Sequence, residues 1–162
     1  MTWHKPRLFA LHCSAKGFGF IVFEGEAAYD WGTVTARGDK NAITLRKLVR
    51  LLDRFSPEAL VLEEPSGVGR ADRIVELHAA IETLCRSRNI GVYQYALSEI
   101  QRRFSRVGAR TRQEIAEAVV RELDVLSPRL PNPRKPWQSE PRRLAIFSAA
   151  AIALTYLSVG RT

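Results

Sequence analysis

The first part of the chain shows the pattern of buried strands. Residues 8–14 form an apolar run that reaches Leu11 and then continues into His12, Cys13 and Ser14. Residues 18–24 and 27–36 are two further runs of the same kind, separated by short turns. Continuous apolar runs of this length are typical of strands buried on both faces. Three such runs joined by short turns predict an antiparallel meander.

The middle of the chain alternates between helical and strand patterns. After Asp39, a candidate N-cap, apolar residues recur at helical spacing as far as Leu52, and Pro57 ends this helix. The segment "EALVLEEP" predicts a fourth strand and "IGVYQYAL" a fifth. A second helix is predicted between them, over about residues 70–88, and a short helix follows the fifth strand, near residues 97–105.

The last part of the chain is predicted to be helical. Thr111 and Glu114 have the spacing of a capping box and open one helix. A loop rich in proline and arginine spans about residues 126–138, after which Ser139 or Glu140 opens the last helix. The whole order predicts one α/β domain over residues 1–162, with helices on both faces of a five-stranded mixed sheet. Three strands are expected to be antiparallel and the next two parallel.

The excess of basic residues indicates which kind of partner the protein binds. Lysine and arginine number 25 against 17 acidic residues, which gives a net charge of +8. This balance favours an anionic partner, with nucleic acid first and an acidic membrane surface second. The two cysteines, Cys13 and Cys85, have no metal-site or disulfide spacing, so a cytoplasmic location is expected. The N-terminus has no apolar signal core, and the short, alanine-rich run 144–159 predicts a buried helix and no membrane span.

Two basic segments are candidate nucleic-acid-binding surfaces. The first, "RRFSRVGARTR", carries Arg102, Arg103, Arg106, Arg110 and Arg112. Guanidinium groups suit phosphates, and the interleaved Phe104 could stack on a base. The second, "NPRKPWQSEPRR", adds Arg134, Lys135, Trp137, Arg142 and Arg143. The alternatives are a solvated helix face for the first segment and, for the second, a proline-stiffened connection with Trp137 packed on the core.

Adjacent carboxylates end the predicted fourth strand. Glu63 and Glu64 lie at its C-terminal end, which is the edge of an α/β sheet where ligands bind. Because neighbouring side chains of a strand point to opposite faces, only one of the two can face a given site. The alternative is that both are solvated just past the sheet and cap the following helix.

Five segments together resemble a known family. They are "LFALHCSAKGFGFIVFE", "DWGTV", "ALVLEE", "VGARTRQEIAEAVV" and "RKPWQSEPRRLAIFSAAAIALTY". In this order they resemble the RuvC-type Holliday-junction resolvases of the RNase H-like superfamily. The resemblance implies a first strand ending in Asp, a fourth strand ending in a catalytic Glu, and a last helix with one or two further acids. In such enzymes these carboxylates hold two divalent cations, usually magnesium, that cleave a phosphodiester.

The resemblance assigns site positions with two replacements. Glu63 matches the fourth-strand Glu, with Glu64 as the register alternative. His12 stands in place of the first Asp, Ser148 in place of an Asp of the last helix, and Glu140 is a candidate retained outer acid. The implied catalytic set is therefore His12, Glu63, Glu140 and Ser148, and the implied metal ligands are Glu63, Glu64 and Glu140. Imidazole binds Mg²⁺ poorly and serine is neutral, so the site is expected to be impaired.

Three functions follow as hypotheses. The first is a protein that binds branched or duplex nucleic acid, DNA in preference, through an impaired two-metal site and does not cut it. The second is an active endonuclease with an altered site that uses Mg²⁺ or Mn²⁺. The third is a protein-interaction scaffold that keeps only the fold and needs no cofactor. The resemblance also implies a homodimer.

Overall fold

Five strands form a single mixed sheet. The computed structural model describes residues 5–65 and 72–159. The strands are β1 (Arg7–Ser14), β2 (Gly17–Glu24), β3 (Ala27–Thr35), β4 (Ala59–Glu63) and β5 (Gly91–Tyr95). Their order across the sheet is β3-β2-β1-β4-β5. The pairs β1–β2 and β2–β3 are antiparallel, whereas β1–β4 and β4–β5 are parallel. The predicted α/β fold with a five-stranded mixed sheet is confirmed.

The helices follow the predicted order. They are α1 (Lys40–Phe55), α2 (Asp72–Ser87), α3 (Leu97–Ser105), α4 (Arg112–Glu122) and α5 (Leu144–Val159), with a 3₁₀ helix at Asp124–Arg129 between the last two. Asp39 caps α1, because its carboxylate accepts a hydrogen bond from the Ala42 N–H at 3.3 Å. The predicted start of α2 near residue 70 lies outside the described residues.

The last helix begins later than predicted. It starts at Leu144, and neither Ser139 nor Glu140 belongs to it. Pro141 accounts for the exclusion of Glu140, because a proline disfavours the helical conformation of the residue before it. The chain reaches α5 through a tight turn in which the Leu144 N–H donates to the Pro141 carbonyl at 3.1 Å.

Alternating side chains of the sheet separate two hydrophobic cores. Phe9 and Leu11 of β1 belong to the core that also holds the inner faces of α1 and α2. Leu8 and Ala10 belong to the opposite core, which is formed with α3, α4 and α5. Helix α5 is buried along most of its length, which explains why its sequence is apolar on all sides. None of the helices in the described part of the chain is long and apolar enough to cross a membrane.

A glycine lets α5 lie directly against the sheet beside His12. In the β1–β2 ladder Gly19 is the partner of His12. A Cβ atom at Gly19 would lie 2.4 Å from the carbonyl carbon of Ala145, near the start of α5. No side chain fits between the strand and the helix at this point, so the backbones approach closely. The glycines of "GFGF" therefore serve strand pairing and helix packing.

Candidate functional site

A cavity of about 410 Å³ lies where the C-terminal ends of β1 and β4 meet α3, α4 and α5. His12, Glu63 and Ser148 all line it, and each is half-buried. These three side chains come from distant parts of the chain. The fold thus places around one cavity three of the four positions that the resemblance assigned to catalysis.

Strand alternation explains which of the two adjacent glutamates faces this cavity. Val61 belongs to the core that contains α5, so Glu63, two residues on, points to the same face of the sheet. Glu64 is exposed, and its backbone N–H donates to the Tyr95 carbonyl at 2.7 Å. His12 lies on the α5 face for the same reason, two residues after Ala10.

Glu140 lies at a different cavity. That cavity has a volume of about 330 Å³ and shares His12 and Arg112 with the larger one. Because Glu140 precedes α5 by an irregular turn, its carboxylate is held outside the cavity that Glu63 lines. Within residues 5–65 and 72–159, no group of three His, Cys, Asp or Glu side chains has a geometry that could hold a metal ion. The implied ligand set of Glu63, Glu64 and Glu140 is therefore not brought together.

A guanidinium occupies the centre of this region. The Arg112 Nη2 atom donates to the Ser148 hydroxyl at 2.6 Å, and Nη1 forms an ion pair with the Glu140 carboxylate. Arg112 lines both cavities, and its side chain is about half exposed. Arginine stays charged at any accessible pH. A permanent cation is thus bonded to the position where the resemblance implies a metal-binding Asp.

The donor set of the larger cavity does not fit two magnesium ions. Among the described residues that line it, Glu63 supplies the only carboxylate, while Arg110 and Arg112 supply two positive charges. Hard dications prefer several oxygen ligands and a negative surrounding charge. An imidazole, a neutral hydroxyl and two guanidinium groups instead favour an anion.

The predicted basic residues divide into exposed and internally bonded groups. Arg102, Arg106 and Arg110 are exposed, on α3 and in the loop after it. Arg103 is mostly covered, since it donates to the Ser158 hydroxyl at 2.8 Å and to the Glu122 carboxylate at 2.6 Å. Arg103 therefore ties α3 to α4 and α5, while the other three are available to solvent.

Two aromatic predictions are wrong in opposite directions. Phe104 was expected to offer its ring to a base, but it is 0% exposed, because Ile100 and Phe104 form the inner face of α3. Trp137 was expected on the core in the alternative interpretation, but it is 77% exposed. Arg134 and Lys135 flank it on the same exposed loop.

Two further cations lie at the site, of which only Arg142 was named from the sequence, as a member of the second basic segment. Lys16, in the β1–β2 turn, and Arg142, just before α5, both line the 330 Å³ cavity. Arg142 also donates to the Thr35 hydroxyl at 2.9 Å, which joins the start of α5 to the end of β3. The signal was present in the sequence, because both residues belong to segments that carry the family resemblance.

Neither cysteine has the character of a nucleophile. Cys13 and Cys85 are buried. Burial raises the pKa of the Cys85 thiol to about 11, only partly offset by the nearby Arg88. At neutral pH this thiol is protonated, which agrees with a structural role in the core.

A capping box fixes the start of α4 between the two arginines of the cavity. The Thr111 hydroxyl accepts from the Glu114 N–H at 3.1 Å, and the Glu114 carboxylate accepts from the N–H groups of Thr111 and Arg110 at 3.0 and 3.2 Å. These backbone hydrogen bonds, that from Thr111 first, lower the pKa of Glu114 below its ordinary value. The hydrogen bonds of the ionised Glu114 carboxylate therefore stabilise the folded state at pH values above the pKa of Glu114 in the unfolded chain. This stabilisation is lost as the pH falls through the lower pKa of Glu114 in the folded state.

Changing Thr111 to alanine is expected to destabilise the fold by about 1 kcal/mol, because it removes the side-chain half of the box. Urea unfolding near neutral pH measures this difference. An NMR titration should also show the pKa of Glu114 moving back towards its ordinary value in the variant. Unchanged stability and an unchanged titration of Glu114 would contradict the assigned role of the box.

Comparison with known proteins identifies the fold. No family model and no curated protein matches the chain. Among solved structures, Thermus thermophilus RuvC in complex with a Holliday junction substrate is similar over 98% of this chain and 96% of that one, with a TM-score of 0.71 and 18% identity. A second Thermus thermophilus RuvC structure has a TM-score of 0.68, 19% identity and coverage of 95% and 96% of the two chains.

A viral enzyme shares the same architecture. The fowlpox virus resolvase in complex with Holliday junction DNA has a TM-score of 0.62 and 13% identity, over 94% of this chain and 99% of that one. These likenesses extend over nearly the whole chain. The chain therefore has the RNase H-like fold of the RuvC-type Holliday-junction resolvases.

Proposed function

We propose that this protein binds branched or duplex DNA and does not cleave it with divalent metal ions. The observation that carries the proposal is the position of Arg112, whose guanidinium is bonded to both Ser148 and Glu140. The Arg112 guanidinium neutralises the Glu140 carboxylate at this point without a metal ion. The same guanidinium group suits the phosphate of a nucleic-acid backbone.

The charge around the larger cavity supports binding of a phosphodiester. Arg110 and Arg112 line it together with Gln101, while Glu63 is the opposing charge among the described lining residues. Exposed Arg102 and Arg106 lie on and just after α3, whose buried Ile100 packs at the same cavity. Phosphate contacts of this kind position a protein on DNA without reading the base sequence.

The similar structures favour branched DNA as the first ligand to test. Two of them were solved with a Holliday junction. Together with the net charge of +8, this likeness supports a four-way junction over a single strand or a small anion. A homodimer, which the family resemblance also implies, remains a prediction, as does the cytoplasmic location.

One observation favours the alternative of an active, altered endonuclease. His12 and Glu63 line the same cavity, and an imidazole with a carboxylate suits Mn²⁺ better than Mg²⁺. Arg112 would have to leave Ser148 and Glu140 for such an ion to gain more ligands. The interaction-scaffold alternative has no comparable observation in its favour.

A cleavage assay separates binding from catalysis. A labelled four-way junction is incubated with the protein in Mg²⁺, in Mn²⁺ and in chelator, with an active resolvase as the positive control. We expect no cleavage product in any of the three conditions. Product that disappears with chelator and in Glu63→Gln, but persists in the matched control Glu64→Gln, would overturn the proposal in favour of an active enzyme.

A further inference from the structure

One tryptophan is presented to solvent on a basic loop. Trp137 is 77% exposed, more than any other large apolar side chain of the described residues. Tryptophan is usually well covered, because its ring offers a large apolar surface. A single exposed apolar residue is common, so what surrounds the ring decides its meaning.

The loop holds Trp137 outward by its own hydrogen bonds. The Gln138 N–H donates to the Lys135 carbonyl at 3.0 Å and closes a turn with Trp137 at its tip. The Gln138 side-chain oxygen accepts from the Lys135 N–H at 2.9 Å, and the Gln138 backbone carbonyl accepts from the Arg134 guanidinium at 3.1 Å. Pro133 and Pro136 restrict the backbone on either side of Lys135. The hydrogen bonds of this turn therefore fix Trp137 at its exposed tip.

Positive charges lie beside the ring, and one of them, Arg134, also lies 4.0 Å from the Glu140 carboxylate. The Lys135 ammonium lies 5.3 Å from the centroid of the Trp137 ring. An open groove of about 620 Å³ runs beside the ring and is lined by Asn132, Arg134, Lys135 and Arg143. An exposed aromatic ring flanked by arginine and lysine is the arrangement with which proteins stack on a base and contact the adjoining phosphates.

We propose that Trp137 stacks on an unpaired nucleobase of the bound nucleic acid, while Arg134 and Lys135 contact the neighbouring phosphates. This inference rests on the proposed function, because it assigns a second contact to the same ligand. The base must be unpaired or at a strand opening, since the faces of bases inside a duplex are covered by their neighbours. The cations beside the ring favour an anionic ligand over an apolar groove of a partner protein.

Matched DNA probes test the stacking. The wild type, Trp137→Ala and Trp137→Phe are titrated against a four-way junction with unpaired thymidines at the crossover and against a blunt duplex of equal length. Trp137→Ala should weaken binding to the first probe by a factor of roughly 5 to 150 and leave the second within about twofold. Trp137→Phe should keep most of the affinity, because it keeps an aromatic face.

An exposed aromatic elsewhere provides the control variant. Tyr29 is 52% exposed, and the Arg7 guanidinium lies 4.9 Å from the centroid of its ring. Tyr29 therefore matches Trp137 as an exposed ring beside a cation, but it belongs to β3 and not to the basic loop. Tyr29→Ala should leave the affinity for both probes unchanged. Equal affinity of Trp137→Ala and wild type for the unpaired probe, or equal loss on both probes, would overturn the stacking proposal. Absence of DNA binding by the wild type would overturn the proposed function itself.

Discussion

Replacing Arg102, Arg106 and Arg110 together with glutamate is expected to lower the affinity for a four-way junction by a factor of roughly 10² to 10³ at about 0.1 M salt. All three side chains are exposed on α3 and the loop that follows it. Each phosphate contact that releases a counterion contributes a factor of roughly 8 at this salt concentration, and the new carboxylates repel the backbone. A mobility-shift or fluorescence-anisotropy titration measures the change.

The matched control carries the same change in charge on the other side of the sheet. Arg46 and Arg50 of α1 and Arg86 of α2 are also exposed, and these helices pack on the opposite core. Changing these three to glutamate should reduce the affinity far less than changing the first three. Equal losses from both triple variants would mean that only the net charge of the protein matters, and would contradict a defined binding surface on α3.

Changing Gly19 to alanine is expected to destabilise the protein by roughly 3 kcal/mol, at the upper end of the range for overpacking. The added Cβ would lie 2.4 Å from the carbonyl carbon of Ala145 and 2.6 Å from its oxygen. These are backbone atoms, so α5 itself would have to move away from β2. Such a shift would also displace Ser148 from His12, since both line the cavity under this helix.

Gly91→Ala is the matched control for this packing effect. A Cβ atom at Gly91 would meet only the side chain of Tyr93, at 3.2 Å, and that side chain is exposed and able to turn away. Urea unfolding should show a loss for Gly91→Ala that is well below the loss for Gly19→Ala. Similar stabilities of the two variants would mean that α5 is not held against β2 as closely as described.

The fold was predictable because its elements carry strong local signals. The strand patterns and the capping residues Asp39 and Thr111 give each element its type and place. Period-two alternation, combined with the parallel pairing of β1 and β4, also brings the ends of these strands to one edge of the sheet. The resemblance implied that His12 and Glu63 share a site, and this strand geometry places both at the same cavity.

The parts that could not be predicted depend on tertiary contacts. The position of Glu140 was missed because α5 starts only at Leu144, after a turn, which leaves Glu140 outside the helix. The arginines looked equivalent in the sequence, yet Arg112 is bonded to Ser148 while Arg102 is exposed. The partner of a long, flexible side chain depends on which groups the folded chain brings close to it. Local sequence periodicity does not predict these tertiary neighbours.

The arrangement at Arg112 gives the proposed function a simple electrostatic explanation. A two-metal site needs several carboxylates to offset the charge of the cations. In this chain, His12 and Ser148 stand at two of the implied acid positions, and Glu140, the outer acid that the resemblance suggests, is paired with Arg112. Under the proposed function, the Arg112 guanidinium takes the place of a metal ion beside Glu140, and the arginines of the cavity bind a phosphate.

The most direct test of this account is the affinity for a four-way junction measured against salt concentration in the presence of a chelator. We expect tight binding at low salt, with the logarithm of the affinity falling linearly with the logarithm of the salt concentration at a slope of about −3 to −5. This corresponds to a loss of roughly 10² to 10³ in affinity between 50 and 200 mM salt. Binding that requires Mg²⁺, or an affinity that is absent or insensitive to salt, would contradict metal-independent recognition of DNA by this surface.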